Sequence, residues 1–373
     1  MHGGMHFHTL CHLSSSANTT YRADCCTYDR SETAISGRIR APNQIFGRPV
    51  LTIVIATLAL AGCSGPQSAL DPAGVEASAV HHLFIVMVIG GAIIWAMTIG
   101  VLAYAGRTRP KPISVRGASR LIVWGGVAFP VVVLFLLLSY AVWLMPQVRP
   151  WLPGAMDGTA EIEVTGEQFW WRILYLDQTG KPAFETANEL HLPVGRRTTF
   201  RLKAADVIHS FWIPALGGKM DMIPGRDNSL SLEPTKAGIY RGPCAEFCGT
   251  SHALMAFSVV VMEEVDYLAW RAARTQAPVA PQKTSGQELF FRHGCAACHA
   301  IAGTPAIGRI GPDLTALGER QTLAAGTLSN TPDAMIRFIR DPASIKPGVK
   351  MPAFGMLPDG DIEAISAWLG GLK

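Results

Sequence analysis

Two long apolar runs dominate the pattern along the chain. Leu83–Ala105 (23 residues) and Leu121–Met145 (25 residues) contain no charged side chain. At about 1.5 Å of rise per helical residue, each exceeds the ~30 Å hydrocarbon core of a bilayer, so the pattern predicts two transmembrane helices within residues 80–146. Pro130 falls inside the second, where neighbouring helices can cover the freed carbonyl. A shorter apolar run, Val50–Ala61, comes after Arg38, Arg40 and Arg48 and ends in Leu60-Ala-Gly-Cys63. Basic residues, an apolar stretch and small residues in that order predict a secretory signal. Beyond Met145 the period shortens. Glu161–Thr165, Gln168–Leu176, Thr198–Leu202, Ser229–Leu232 and Phe257–Met262 alternate or favour β-branched and aromatic residues. Gly and Pro punctuate them at Gly180-Lys-Pro, Pro193, Pro214, Gly217-Gly218 and Pro224-Gly225, as expected of strands joined by turns. This stretch, 151–264, predicts an all-β Greek-key sandwich or barrel. Glu264–Arg274 reads as a helix, and Thr275–Lys283, with Pro278 and Pro281, as a semi-rigid linker, so that 265–284 separates the β domain from a C-terminal unit. That unit, 285–373, opens with a helix at Gly286–Arg292. It closes with another at Asp359–Leu369, where Ile362, Ile365 and Leu369 recur at helical spacing.

Composition agrees with the spans: 49% hydrophobic and 16% charged residues is too apolar for an ordinary soluble enzyme. The net charge of +4 is not a nucleic-acid signal, because the basic residues are not pooled on one domain. Trp151–Arg271 carries 11 Lys+Arg against 15 Asp+Glu. The excess sits in the N-terminal segment and in one short loop, at Arg107, Arg109, Lys111, Arg116 and Arg120. By the positive-inside rule that loop is cytoplasmic, and everything after Met145 is outside. Residues 1–40 are rich in His, Ser, Thr and Arg without periodicity, and read as a cleaved segment or as sequence upstream of the true translation start. The alternative is a metal site at His2, His6, His8 and His12.

The eight cysteines divide by context. Cys11, Cys25 and Cys26 lie in the aperiodic N-terminus, and Cys63 ends an apolar run. Cys244-Ala-Glu-Phe-Cys248-Gly-Thr-Ser-His252-Ala-Leu-Met255 assembles two thiols, an imidazole and a thioether, a donor set that selects copper. One copper would need a second imidazole, which Asp206-Val-Ile-His209-Ser-Phe supplies upstream. A second cysteine offers a second bridging sulfur, so the loop can hold two coppers. The alternative is a Cys244–Cys248 disulfide, with His252 and Met255 as ordinary core residues. Cys295-Ala-Ala-Cys298-His299 is the attachment signature of haem c: two thioethers hold the porphyrin and His299 ligates the iron.

C-x-E-x-C-x-x-x-H-x-x-M with an upstream D-V-x-H-S-F resembles the CuA site of subunit II of haem-copper cytochrome c oxidases. The resemblance covers roughly residues 80–373 and implies a cupredoxin fold for the β domain. It implies that His209, Cys244, the backbone carbonyl of Glu246, Cys248, His252 and Met255 ligate the copper pair. It further implies that the Glu246 carboxylate reaches a Mg²⁺ ion shared with subunit I; the alternative is an exposed acid beside the loop. Asp221 and Arg226 match a stretch facing the same boundary. Leu60-Ala-Gly-Cys63 resembles a bacterial lipoprotein signal, which implies acylation of Cys63; the alternative is an unmodified cysteine in an uncleaved anchor. The C-terminal unit resembles class I cytochromes c, an all-α fold, with Gly311-Pro-Asp-Leu as a turn against the haem. That family's Met-Pro arrangement favours Met351 over Met356 as the sixth iron ligand.

The chain departs from many relatives at two places. Gly166-Glu-Gln-Phe169-Trp170-Trp171 has Phe where they carry the first Trp of the stretch that receives electrons from soluble cytochrome c. Phe169, Trp170 and Trp171 are therefore a possible electron path fed by the tethered haem, or plain strand-packing aromatics. Ser119–Trp124 lacks the carboxylate that many relatives carry near the start of the second span.

The reading is a multidomain membrane protein: an N-terminal extension and signal over 1–63, a two-helix transmembrane hairpin, a cupredoxin domain and a fused cytochrome c. The resemblance is to subunit II of a caa3-type oxidase. It implies electron transfer from haem c through CuA to haem a of subunit I, where O2 is reduced at haem a3–CuB and protons are translocated. Implied partners are subunits I and III, membrane lipid and an external donor such as a cytochrome c or a cytochrome bc1 complex, and no nucleic acid. The implied place is the bacterial cytoplasmic membrane, multi-pass, with the metal domains periplasmic. Rival readings are a CuA-bearing subunit of a nitric oxide reductase and a thioredoxin-like copper-delivery protein. The latter would need βαβ units and leaves His252, Met255 and the haem motif unexplained.

Overall fold

In the computed structural model, residues 64–108, 113–148, 161–276 and 284–373 are described. The signal and Cys63 lie outside the described residues. Helix α1 (Val75–Arg107) and the pair α2 (Val115–Leu121) and α3 (Phe129–Val148) are both long and apolar enough to cross a membrane. A π-helical stretch, Ile122–Ala128, joins α2 to α3. There Phe129 N–H bonds back five residues to the Trp124 carbonyl. This wide turn immediately precedes Pro130, which has no N–H to continue the ordinary ladder.

Helix α1 starts ahead of the apolar run that marks it in sequence. Its first turn is polar because it belongs to the β domain: Val75 N–H bonds to the Glu233 carbonyl at 3.0 Å and Ala77 N–H to the Leu216 carbonyl at 3.1 Å. Glu76 is buried, ion-paired to Arg197, and accepts from Glu233 N–H at 3.1 Å. A buried carboxylate survives only when paired and hydrogen-bonded in this way. The membrane helix is thus rooted in the β domain by backbone bonds and one ion pair.

The β domain is a sandwich. One sheet has the order β3-β2-β1-β5-β8, from β1 (Ile162–Glu167), β2 (Trp170–Leu176), β3 (Pro182–Ala187), β5 (Thr198–Ala204) and β8 (Asn228–Leu232). The other has the order β4-β10-β9, from β4 (Glu189–Pro193), β9 (Gly238–Pro243) and β10 (Ala256–Met262). β6 (His209–Phe211) and β7 (Met220–Met222) form a separate antiparallel pair. β1 and β5 are parallel, as are β4 and β10, and the other pairs are antiparallel. Alternate residues of β1, Ile162 and Val164, point inward with Ile173, Phe200 and Val259. Each such apolar side chain contributes roughly 1.5–3 kcal/mol by leaving water. Trp171, Phe211 and Phe257 form an edge-and-stack cluster at the end that holds β6. Helix α4 (Glu264–Thr275) covers the opposite end, burying Tyr267 and stacking Trp270 on the ring of His191.

The last unit packs α5 (Ser285–Arg292) across α8 (Asp359–Gly370), with Phe290 against Trp368 and Ile362 and Ile365 beneath. Two further helices, α6 (Pro332–Arg340) and α7 (Pro342–Ile345), complete it with a small ladder of β11 (Thr322–Leu323) and β12 (Leu328–Ser329). Thr331 caps α6 by accepting from Ala334 N–H, with Pro332 in the first turn.

This unit is bonded to the sandwich, not merely tethered. Ala256 N–H donates to the Ala325 carbonyl at 2.9 Å, Ser251 Oγ to the Pro347 carbonyl at 2.6 Å and Thr327 Oγ1 to the Leu254 carbonyl at 3.0 Å. Gln321 N–H donates to Glu189, Arg309 pairs with Glu185 and Arg274 with Glu319.

Candidate metal centres

The loop between β9 and β10 carries five of the six predicted copper donors. Its two ends are clamped where Pro243 and Ala256 face each other and where Cys244 N–H bonds to the Met255 carbonyl at 2.8 Å. Ala245 N–H donates to the Ser210 carbonyl at 3.1 Å. That bond stitches the loop to β6 and brings in His209, the sixth donor.

The donors converge. Cys244 Sγ lies 3.9 Å from Cys248 Sγ, 3.9 Å from His209 Nδ1 and 3.3 Å from the Glu246 carbonyl oxygen. Cys248 Sγ lies 3.6 Å from His252 Nδ1 and 3.8 Å from Met255 Sδ. Both thiols are free and buried, as are His209 and Met255. Each sulfur therefore has its own imidazole and its own weak donor, a carbonyl or a thioether. Thiolate and thioether suit copper, and imidazole suits its oxidised form.

Charge at the site is arranged for a metal. The hydrogen bond with Cys248, helped by that with His209, lowers the Cys244 thiol against the opposing effect of burial. The same contact with Cys244, reinforced by burial, pushes Cys248 upward, and a metal binds only the deprotonated thiolates. Burial alone would lower the His209 imidazole, but the bonds with Cys244 and Asp206 outweigh it and the net is upward.

Asp206 holds that imidazole from behind, its Oδ1 2.9 Å from His209 Nε2. Its Oδ2 accepts from Gln168 N–H at 2.7 Å. Across the ring, Gly166 is a necessity: a Cβ there would stand 2.8 Å from the imidazole. Trp171 packs on the third side. The carboxylate fixes the tautomer that leaves Nδ1 free for the metal. Asp206→Asn is expected to weaken copper binding by about 10–100-fold, measured by competition with a copper chelator on the folded chain.

The haem motif lines a second site. α5 ends at Arg292, and Gly294, in the left-handed region at φ +77°, leads into the turn Cys295–Ala297. A cavity of about 470 Å³ is walled by Cys295, Cys298 and His299 on one side and Met351 on another, with Leu314, Leu323, Ile339 and Phe354 between. His299 Nδ1 donates to the Pro312 carbonyl at 2.8 Å, which turns Nε2 toward a ligand role. Burial lowers the imidazole pKa, so the ring stays neutral. Gly311 closes on this ring, since a Cβ there would stand 2.6 Å from it. Arg320 is buried at the cavity, and its Nε has no hydrogen-bond partner. Two thiols, an imidazole, a thioether, apolar walls and the unpartnered Nε–H of Arg320 fit an iron porphyrin. Met356 is 78% exposed and does not line the cavity.

The sandwich completes this cavity. Gln168, Phe169, Trp170 and Asn188 form part of its wall, and Gln168 Nε2 donates to the Cys248 carbonyl at 2.6 Å. Phe169 and Trp170 thus stand at the haem side, while Trp171 is buried against His209. The Glu246 carboxylate points away from the copper donors and, with Asp221, accepts from Lys219 Nζ. Sequence reasoning gave no role to Asp206, although it stands three residues before His209, nor to Gln168.

A family model for the periplasmic domain of cytochrome c oxidase subunit II matches residues 173–264, and one for cytochrome c matches residues 284–373. Cytochrome c oxidase subunit 2 of Alkalihalophilus pseudofirmus is 36% identical over 337 residues, spanning 87% of this chain and 96% of the relative. That of Bacillus subtilis is 32% identical over 357 residues, spanning 87% and 98%. Among solved structures, the periplasmic domain of subunit II of cytochrome oxidase of Bradyrhizobium japonicum is 33% identical, covering 32% of this chain and 98% of that one, with a TM-score of 0.30. With relatives of this identity matched over nearly their whole length, and a cytochrome c domain after the copper domain, the chain belongs to the cytochrome c oxidase subunit 2 family in its caa3-type form.

Proposed function

We propose that this chain is the electron-accepting subunit of a haem-copper terminal oxidase, taking electrons from an external donor and delivering them to haem a of subunit I, where O2 is reduced and protons are translocated. Haem c and the copper pair, when bound, supply reversible one-electron storage. His299 and Met351 would ligate the iron, and thioethers at Cys295 and Cys298 would hold the porphyrin. His209, Cys244, the Glu246 carbonyl, Cys248, His252 and Met255 would hold two coppers. The observation that carries the reading is Gln168: it walls the haem cavity and is hydrogen-bonded to the carbonyl of a copper ligand. The inter-domain bonds keep that contact short, so no diffusional search separates the two centres.

Subunit III, a shared Mg²⁺ at the Glu246 carboxylate and a donor such as a cytochrome c or bc1 complex belong to the same proposal. So do acylation of Cys63 and a place in the bacterial cytoplasmic membrane with both metal domains on the periplasmic side. The test is to purify the complex through this chain and supply reduced donor. Oxygen consumption with no turnover of nitric oxide supports the reading; nitric oxide turnover without oxygen consumption defeats it.

A further inference from the structure

Lys346 is a cation sealed into the seam between the two metal domains. It lies just past α7, is 2% exposed, and lines the same cavity as Cys295, Cys298, His299 and Met351. Its Nζ donates to the Ala324 carbonyl at 2.9 Å, and among the described residues it forms no ion pair. The other cations of the cavity wall are balanced. His293 faces Asp361 at 2.8 Å and Lys350 faces Asp206 at 4.0 Å. Arg320 donates to the Asp313 carbonyl and has the carboxylates of Asp313 and Glu189 nearby. Burial pushes the Lys346 ammonium down to about 7, with the Cys248 sulfur acting the other way.

A lone buried ammonium with one neutral acceptor is unfavourable unless an anion shares its pocket. A methionine or leucine would fill the same wall without that cost. The acid groups that could enter this cavity are the porphyrin's own carboxylates. We propose that Lys346 anchors a carboxylate side chain of the covalently bound porphyrin and that its charge sets the reduction potential of the haem. The proposal rests on the haem c reading above. Ala324 and Ala325 both have positive φ, at 51° and 57°, so the bond from Lys346 to Ala324 also steadies that loop. The test must therefore separate charge from hydrogen bond.

Lys346→Gln keeps a donor for Ala324 and removes the charge, Lys346→Arg keeps the charge, and Lys346→Met removes both. The full-length chain is purified in detergent, covalent haem is confirmed by intact mass, and the haem potential is titrated spectroelectrochemically. Lys346→Gln and Lys346→Met are expected to lower the ferrous-to-ferric ratio at fixed potential by about tenfold, which is ~59 mV for a one-electron couple, with Lys346→Arg close to wild type. Haem-loaded Lys346→Gln with the wild-type potential overturns the proposal, as does an equal shift in Lys346→Gln and Lys346→Arg. A wild-type chain without covalent haem overturns the haem reading itself and this proposal with it.

Discussion

Cys248→Ser is expected to abolish electron delivery to the partner subunit while leaving the haem in place. Cys248 Sγ lies within 4 Å of the other thiol, of His252 Nδ1 and of Met255 Sδ, so its loss removes the atom on which three contacts converge. A hydroxyl is a poor donor for copper, and the site then has neither the charge nor the softness to hold two ions. Since loss of an outer hydrogen bond alone costs about 10–100-fold in affinity, loss of this sulfur should cost more than ~100-fold in copper binding and in oxygen-linked turnover. Cys244→Ser should behave alike, because its thiolate is the sulfur that His209 and the Glu246 carbonyl face. Copper per chain, turnover of the purified complex and the visible spectrum of the haem check both variants. Either variant retaining two coppers and full turnover defeats the ligand assignment.

Met351→His should change the haem without touching the copper. Thioether ligation opposite histidine favours ferrous iron, and axial ligands set haem potentials over a range of about 0.8 V. Replacing the thioether with an imidazole should lower the potential by on the order of 0.1 V or more. Intramolecular electron transfer should then be measured from a more reducing haem, and reduction by the external donor should slow. Met356→His is the control: that side chain is 78% exposed and outside the cavity, so the potential should not move. A shift in Met356→His with none in Met351→His would exchange the two assignments.

What could be read from the residues alone was whatever lies close along the chain. The spans announce themselves because Leu83–Ala105 and Leu121–Met145 exclude charge. The start of α1 did not, since Glu76 and its neighbours are polar for a reason supplied by Arg197 and Glu233, more than a hundred residues away. β1, β2, β5, β8 and β10 were legible from alternation. β3, β4 and β9 were not, because proline and glycine at their ends and middle mimic loops. Helix α6 carried a readable signal, Thr331-Pro332 before an amphipathic stretch, that went unused. The metal donors were legible because thiol, imidazole and thioether spacing is local chemistry. Asp206, Gln168 and Lys346 acquire meaning only when separate segments meet, and no period or motif encodes that meeting.

Two sulfurs are expected to hold two coppers that share one electron beside a covalently tethered haem. The most direct measurement of that arrangement is the EPR spectrum of the copper-loaded full-length chain, with copper counted per haem. The account predicts two coppers per haem and hyperfine structure from one unpaired electron spread equally over two copper nuclei. One copper per haem, with the pattern of a single nucleus, would contradict it.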